Sequence, residues 1–188
     1  MTAKAKITAK EALAKLKEGN KTYLSAKTNP GDISPEIREK TAKEGQFPYA
    51  IVVTCSDSRV VPEGIFSAGI GELFVIRVAG FVIDKHQLGS IEYAADHLGT
   101  PLVLVLGHTN CGAVGAALAS DGHAEGYVAS IIGEIQKAIG KEKDPDKAVA
   151  LNVEHSKAAV ESALGKTLPI TVIGAVYHID SGKVEFME

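Results

Sequence analysis

The 188-residue chain has no tryptophan, and only two cysteines, five tyrosines and five phenylalanines. So sparse an aromatic set offers no stacking platform for bases. Positive charge is not in excess either. The net charge of -3 leaves no global basic field to gather nucleic acid. No apolar run approaches the roughly 20 residues that span a bilayer, so no membrane partner is expected. The opening stretch, Met1 to Lys21, is rich in lysine but lacks the continuous apolar core and cleavage site of a secretory signal. A cytoplasmic location is therefore expected. In a reducing compartment, two cysteines point to metal or catalysis sooner than to a disulfide. Repeats, linkers and low-complexity tracts are missing as well, and the length suits one domain with a proper core.

What is present is an ordinary globular composition, 45% hydrophobic and 23% charged. Thr8 to Leu24 reads as an amphipathic helix opened by a Thr8/Glu11 capping box, with Gly19 weakening its interior. Ser34 and Pro35 open a second helix that stops at Gly45. Apolar runs at Ala50–Thr54, Leu73–Val78, Leu102–Leu106 and Ile170–Tyr177 read as strands, the third breaking at Gly107. Helical spacing separates them over His86–Leu98, Ala113–Ala119, Gly126–Ile139 and Pro145–Leu164. A turn at Asp180–Lys183 leads into a short edge strand, Val184–Met187. Strands alternating with helices predict an α/β fold. Its sheet has four mostly parallel strands plus one antiparallel edge strand, flanked by helices.

The first strand run turns abruptly into Cys55-Ser56-Asp57-Ser58-Arg59. An extended backbone there would point Cys55, Asp57 and Arg59 the same way, at the strand end where open α/β sheets bind ligands. The same pattern also fits a buried cysteine before a polar turn. The third strand run ends comparably, in Gly107-His108-Thr109-Asn110-Cys111-Gly112. Were the two strands neighbours, Cys55, His108 and Cys111 would meet at one sheet edge. Zinc takes such ligands tetrahedrally, and two cysteines with one histidine leave the fourth position open, as in a catalytic site.

Together these two segments resemble the beta class of carbonic anhydrases, and the likeness extends over most of the chain. That resemblance implies one Zn2+ per chain on Cys55, His108 and Cys111. It implies reversible hydration of carbon dioxide to bicarbonate by a zinc-bound hydroxide, with Asp57 and Arg59 as the catalytic pair. It places substrate-contacting roles on Gln46, Phe74, Tyr93 and Gly112, and a proton shuttle on His97. Val52 stands where another subtype carries a tryptophan serving an inhibitory bicarbonate site, which implies the plant-like, open-site subtype. The whole of 1–188 is then one domain, with an N-terminal helical arm over 1–45 and a zinc-binding core over 46–188. A homodimer, or a higher even-numbered homo-oligomer, is implied, with the N-terminal helices over the partner. Two other readings use the same residues. One is a hydrolase of carbonyl sulfide or carbon disulfide; the other is a zinc-binding protein without turnover.

Overall fold

The computed structural model describes residues 7–120 and 124–187. At its centre is β1 (Ala50–Thr54), five apolar or β-branched residues buried without exception. It pairs in parallel with β2 (Leu73–Arg77) on one side and β3 (Leu102–His108) on the other. Beyond β3 come β4 (Thr171–Tyr177), parallel, and β5 (Val184–Met187), antiparallel. The strand order is β2-β1-β3-β4-β5, so the expected sheet is observed. The chain leaves β1 in one direction for β2, then returns past it to β3. That reversal opens a crevice between the C-terminal ends of β1 and β3, the position where such sheets bind ligands.

The alternation of side chains divides the core into two layers. Ile51, Val53, Val103 and Val105 face a layer built with α4 (Lys85–Asp96), α5 (Gly112–Ala119), α6 (Val128–Ile139) and α7 (Pro145–Leu164). Ala50, Val52, Leu102 and Leu104 face the other side, under α1 (Ala9–Ser25) and the short α3 (Pro62–Ile65).

The helix α1 opens on the expected capping box: Thr8 Oγ1 accepts from the Glu11 N–H, and Glu11 accepts from the Thr8 N–H at 2.8 Å. Ala12, Leu16 and Asn20, each four residues on, form its buried stripe. Asn20 donates to the carbonyls of Ile65 and Gly182 and accepts from the Val184 N–H at 3.0 Å. Gly19 is not merely a weak helix former: a Cβ there would stand 2.0 Å from the Phe66 carbonyl oxygen. The helix α1 thus packs on its own sheet. The next helix, α2 (Pro35–Glu44), follows its Ser34 cap and ends at Gly45, φ +90°, burying none of its residues.

One expectation is corrected here. Gly107 does not end β3, because the ladder continues through Gly107↔Val176 and His108↔Tyr177. The glycine is there for space. A Cβ would meet Val153 Cγ2 at 2.5 Å, with Phe81 and Val149 close behind. The added two residues carry His108 to the end of a paired strand, which gives the ligand a rigid base.

Candidate metal centre

Cys55 follows the last residue of β1, His108 is the last of β3, and Cys111 caps α5. Since Thr54 pairs with Leu106, Cys55 sits level with Gly107 and beside His108. The Sγ, imidazole nitrogen and Sγ of these three buried residues lie within 4.8 Å of one another. Donor atoms around one tetrahedral zinc stand roughly 3.5–4 Å apart, so little closure is needed.

The imidazole is prepared for this role. His108 Nδ1 lies 2.9 Å from its neighbour's carbonyl, Thr109 O. An acceptor there fixes the proton on Nδ1 and leaves Nε2 as a bare lone pair. That Nε2 is buried without a hydrogen-bond partner. An orphaned polar atom in the interior is destabilising by roughly 1–3 kcal/mol, unless something absent from the protein itself engages it. Thr109 is in turn held by its N–H to Tyr177 O and by Oγ1 accepting from the Ile179 N–H.

The cysteines are free thiols. Their mutual contact lowers the Cys55 thiol from its ordinary value, while that contact and burial push Cys111 up. A thiolate beside an imidazole lone pair suits a soft, divalent cation. The Gly80 N–H also points at Cys55 Sγ, at 3.4 Å.

Asp57 and Arg59 follow Cys55 on the loop after β1, but not along an extended backbone. The chain turns at 57–60, with Asp57 Oδ1 accepting the Arg59 N–H at 2.9 Å. This Asx turn folds the guanidinium back onto the carboxylate. Nε donates to Oδ1 at 2.9 Å and Nη2 to Oδ2 at 2.7 Å, a bidentate pair. The Arg59 side chain holds the Asp57 carboxyl well below the usual range. Nη2 also reaches the Asn110 carbonyl at 3.1 Å, tying the Cys55 loop to the Cys111 loop. Asp57 is not among the grouped metal-donor side chains, so three donors converge rather than four.

Arg77 was not singled out by sequence. It ends β2 and donates to Cys55 O at 3.2 Å and Asp57 O at 2.7 Å, fixing the loop from the other side. A charged residue closing an apolar strand at the ligand-binding edge was the available signal.

The remaining candidates divide. Gly112, the first residue of α5, adjoins Cys111 at the centre. Phe74 does not: it pairs with Ile51, four residues before Cys55, or roughly 13 Å down the strand. Phe74 instead stacks against Tyr93, ring centroids 6.1 Å apart, and Tyr93 against His97 at 5.3 Å. Gln46 precedes β1 and lies at Gly71, just before β2. These four therefore gather toward the β2 edge, with Tyr93 half-exposed. The other histidines stay ordinary: His86, His155 and His178 each face a carboxylate, and His123 lies outside the described residues.

Residues 50–184 match the family model described as carbonic anhydrase. Carbonic anhydrase 2 of Mycobacterium tuberculosis is 38% identical over 184 residues, covering 89% of this chain and 87% of that protein. A Coccomyxa beta-carbonic anhydrase, solved in complex with acetazolamide, is 30% identical, with a TM-score of 0.66 over 83% of this chain and 86% of that one. A tetrameric beta-carbonic anhydrase of Sordaria macrospora shares the fold, with a TM-score of 0.68 at 23% identity over 82% and 87% of the two chains.

Proposed function

The chain belongs to the beta class of carbonic anhydrases, and on that premise we propose that it hydrates carbon dioxide reversibly to bicarbonate and a proton, with one Zn2+ held by Cys55, His108 and Cys111. The observation that carries this reading is the bare, buried Nε2 of His108 facing two cysteine sulfurs. Zinc at such a site supplies a hydroxide nucleophile near neutral pH by acidifying a water.

The protein's own groups aim and protect that chemistry. Asp57 is the acceptor that would orient the nucleophilic oxygen, through a hydrogen bond from it, toward the carbon of CO2. It must stay ionised to do so, and Arg59 ensures this. By holding both carboxylate oxygens, Arg59 also keeps Asp57 from occupying the reacting position, the open-site arrangement. The backbone N–H of Gly112, at the start of α5, favours the anionic product. His97 carries the proton onward, its two ring nitrogens able to accept on one side and donate on the other.

Gln46, Phe74, Tyr93 and His97 stand too far down the sheet to line their own chain's centre. We assign them to the pocket of a partner's centre, in a homodimer or an even multiple of one. Residues 1–188 form one domain in this reading, arm 1–45 and core 46–188, working in the cytoplasm. Among the described residues no helix is long and apolar enough to cross a membrane.

The test is elemental analysis of the purified protein with stopped-flow CO2 hydration and a sulfide-release assay in parallel. One zinc per chain and rapid CO2 hydration are expected. Turnover of carbonyl sulfide without CO2 hydration would overturn the substrate, and metal-free protein with full activity would overturn the centre.

A further inference from the structure

Beside Cys55 the chain makes a tight turn over Ala79–Phe81. Its Gly80 N–H is a backbone donor aimed at Cys55 Sγ. Two consecutive residues of this turn are left-handed, Gly80 at φ +67° and Phe81 at φ +44°. Glycine tolerates that conformation; a phenylalanine does not without strain. The space around Gly80 is also closed, since a Cβ would meet Ile135 Cδ1 at 2.6 Å. A strained turn persists only where its surroundings hold it.

The hold comes from α7. Asn152 Nδ2 donates to the Gly80 carbonyl at 2.8 Å, and Ser156 Oγ donates to the Phe81 carbonyl at 3.0 Å. These two residues are four apart, on the buried face of a helix whose neighbouring positions are Val149, Val153 and Val160. Both are essentially inaccessible to solvent. Asn152 serves the turn at the expense of its own hydrogen bonding. Its Oδ1 is buried without a partner, an orphan shared among the described residues only by the His108 Nε2 atom. A leucine at that helix position would spare the amide oxygen but would leave the buried Gly80 carbonyl without its donor.

We propose that Asn152 and Ser156 are positioning residues for the metal centre: they lock the Ala79–Phe81 turn so that the Gly80 N–H stays on Cys55 Sγ. The inference rests on the reading of Cys55, His108 and Cys111 as a metal site. An N–H···S bond withdraws electron density from the sulfur and fixes its direction before metal arrives. Removing partners that orient a metal ligand typically lowers metal affinity 10- to 100-fold.

The experiment compares wild type, Asn152→Leu, Ser156→Ala, Ser156→Thr and Val160→Ala, each loaded with Co2+ or Zn2+. The readouts are the thiolate-to-cobalt charge-transfer band, zinc release into a chromogenic chelator, and the melting temperature. Asn152→Leu and Ser156→Ala are expected to move the band to longer wavelength and to release zinc about tenfold faster. Ser156→Thr, which keeps the hydroxyl, restores the wild-type band. Val160→Ala, a cavity in the same helix away from the turn, lowers the melting temperature and leaves band and release unchanged. Should Asn152→Leu fail to fold, the Ser156 pair decides. A band and release rate within twofold of wild type in both Asn152→Leu and Ser156→Ala would overturn the proposal, even with lowered melting temperatures. A wild type that takes up no metal would overturn the metal-site reading itself, a result distinct from the former.

Discussion

Gly107 is where fold and centre are coupled most tightly, and Gly107→Ala is the perturbation that exposes it. The new methyl would stand 2.5 Å from Val153 Cγ2, 3.1 Å from Phe81 Cζ and 3.2 Å from Val149 Cγ1. Overpacking of this kind destabilises by about 1–3 kcal/mol. Relief of glycine's entropy in a strand returns roughly 0.5–1 kcal/mol. The net expectation is a loss of about 1 kcal/mol. Val153→Ala alone removes two buried methyl groups, about 1.6 kcal/mol by transfer and roughly 2 kcal/mol with its cavity. In the double variant the methyl added at position 107 takes the volume that the valine vacates. Its loss should fall short of the roughly 3 kcal/mol sum by at least about 1 kcal/mol. Phe81 and Val149 remain tight, so the relief is partial. Urea midpoints of the zinc-loaded proteins, with unchanged slopes, measure all three. Additivity within about 0.5 kcal/mol would refute the claim that Gly107 is required by Val153's approach.

Three further outcomes follow from the same geometry. Asn20→Ala removes three buried hydrogen bonds and leaves two carbonyls and the Val184 N–H to find new partners. A loss of about 3 kcal/mol, or a melting temperature lower by roughly 6–12 °C, is expected by calorimetry, and a shift under about 2 °C would contradict the docking of α1 on its own sheet. Burial raises the Glu72 carboxyl, but the Gly69 N–H and Lys15 outweigh it and the net direction is down. Because the folded value is depressed, wild type should exceed Glu72→Gln by about 0.5–1 kcal/mol above the ordinary glutamate value, discounted for exposure. That margin fades as pH falls through the folded value, and a margin that grew on acidification would reverse the sign of the argument. Cys111→Ser replaces a thiolate with a hydroxyl that stays protonated, so zinc after dialysis should fall far below one per chain; stoichiometric zinc and full activity would remove Cys111 from the ligand set.

Much of this was legible in the chain itself, for local reasons. The Thr8/Glu11 box, the Ser34-Pro35 start and the Gly45 stop act within one turn of helix, so residue type alone reports them. The buried runs of β1 and β3 and the polar clusters at their ends are contiguous, and strand adjacency then does the rest. What was hidden depends on distant partners. Gly107 looks like a strand end until Val153 is known to press on it. Asn20 and Asn152 are single amides on helices, and only their positions within apolar stripes mark them. Arg77 grips the Cys55 loop across a strand. The placement of Phe74 and Tyr93 near the β2 edge depends on strand register, which motif spacing does not report.

In the proposed function Asp57, held ionised by Arg59, aims a nucleophile that it does not help to bind. Stopped-flow CO2 hydration of wild type and Asp57→Asn, with zinc counted in both, tests it most directly. The amide keeps the shape, presents one acceptor where Arg59 expects two, and stays neutral at every pH. One zinc per chain is expected in both proteins, with a fall in kcat of at least about 10²-fold in the variant. An Asp57→Asn protein that keeps its zinc and turns over within about threefold of wild type would contradict it.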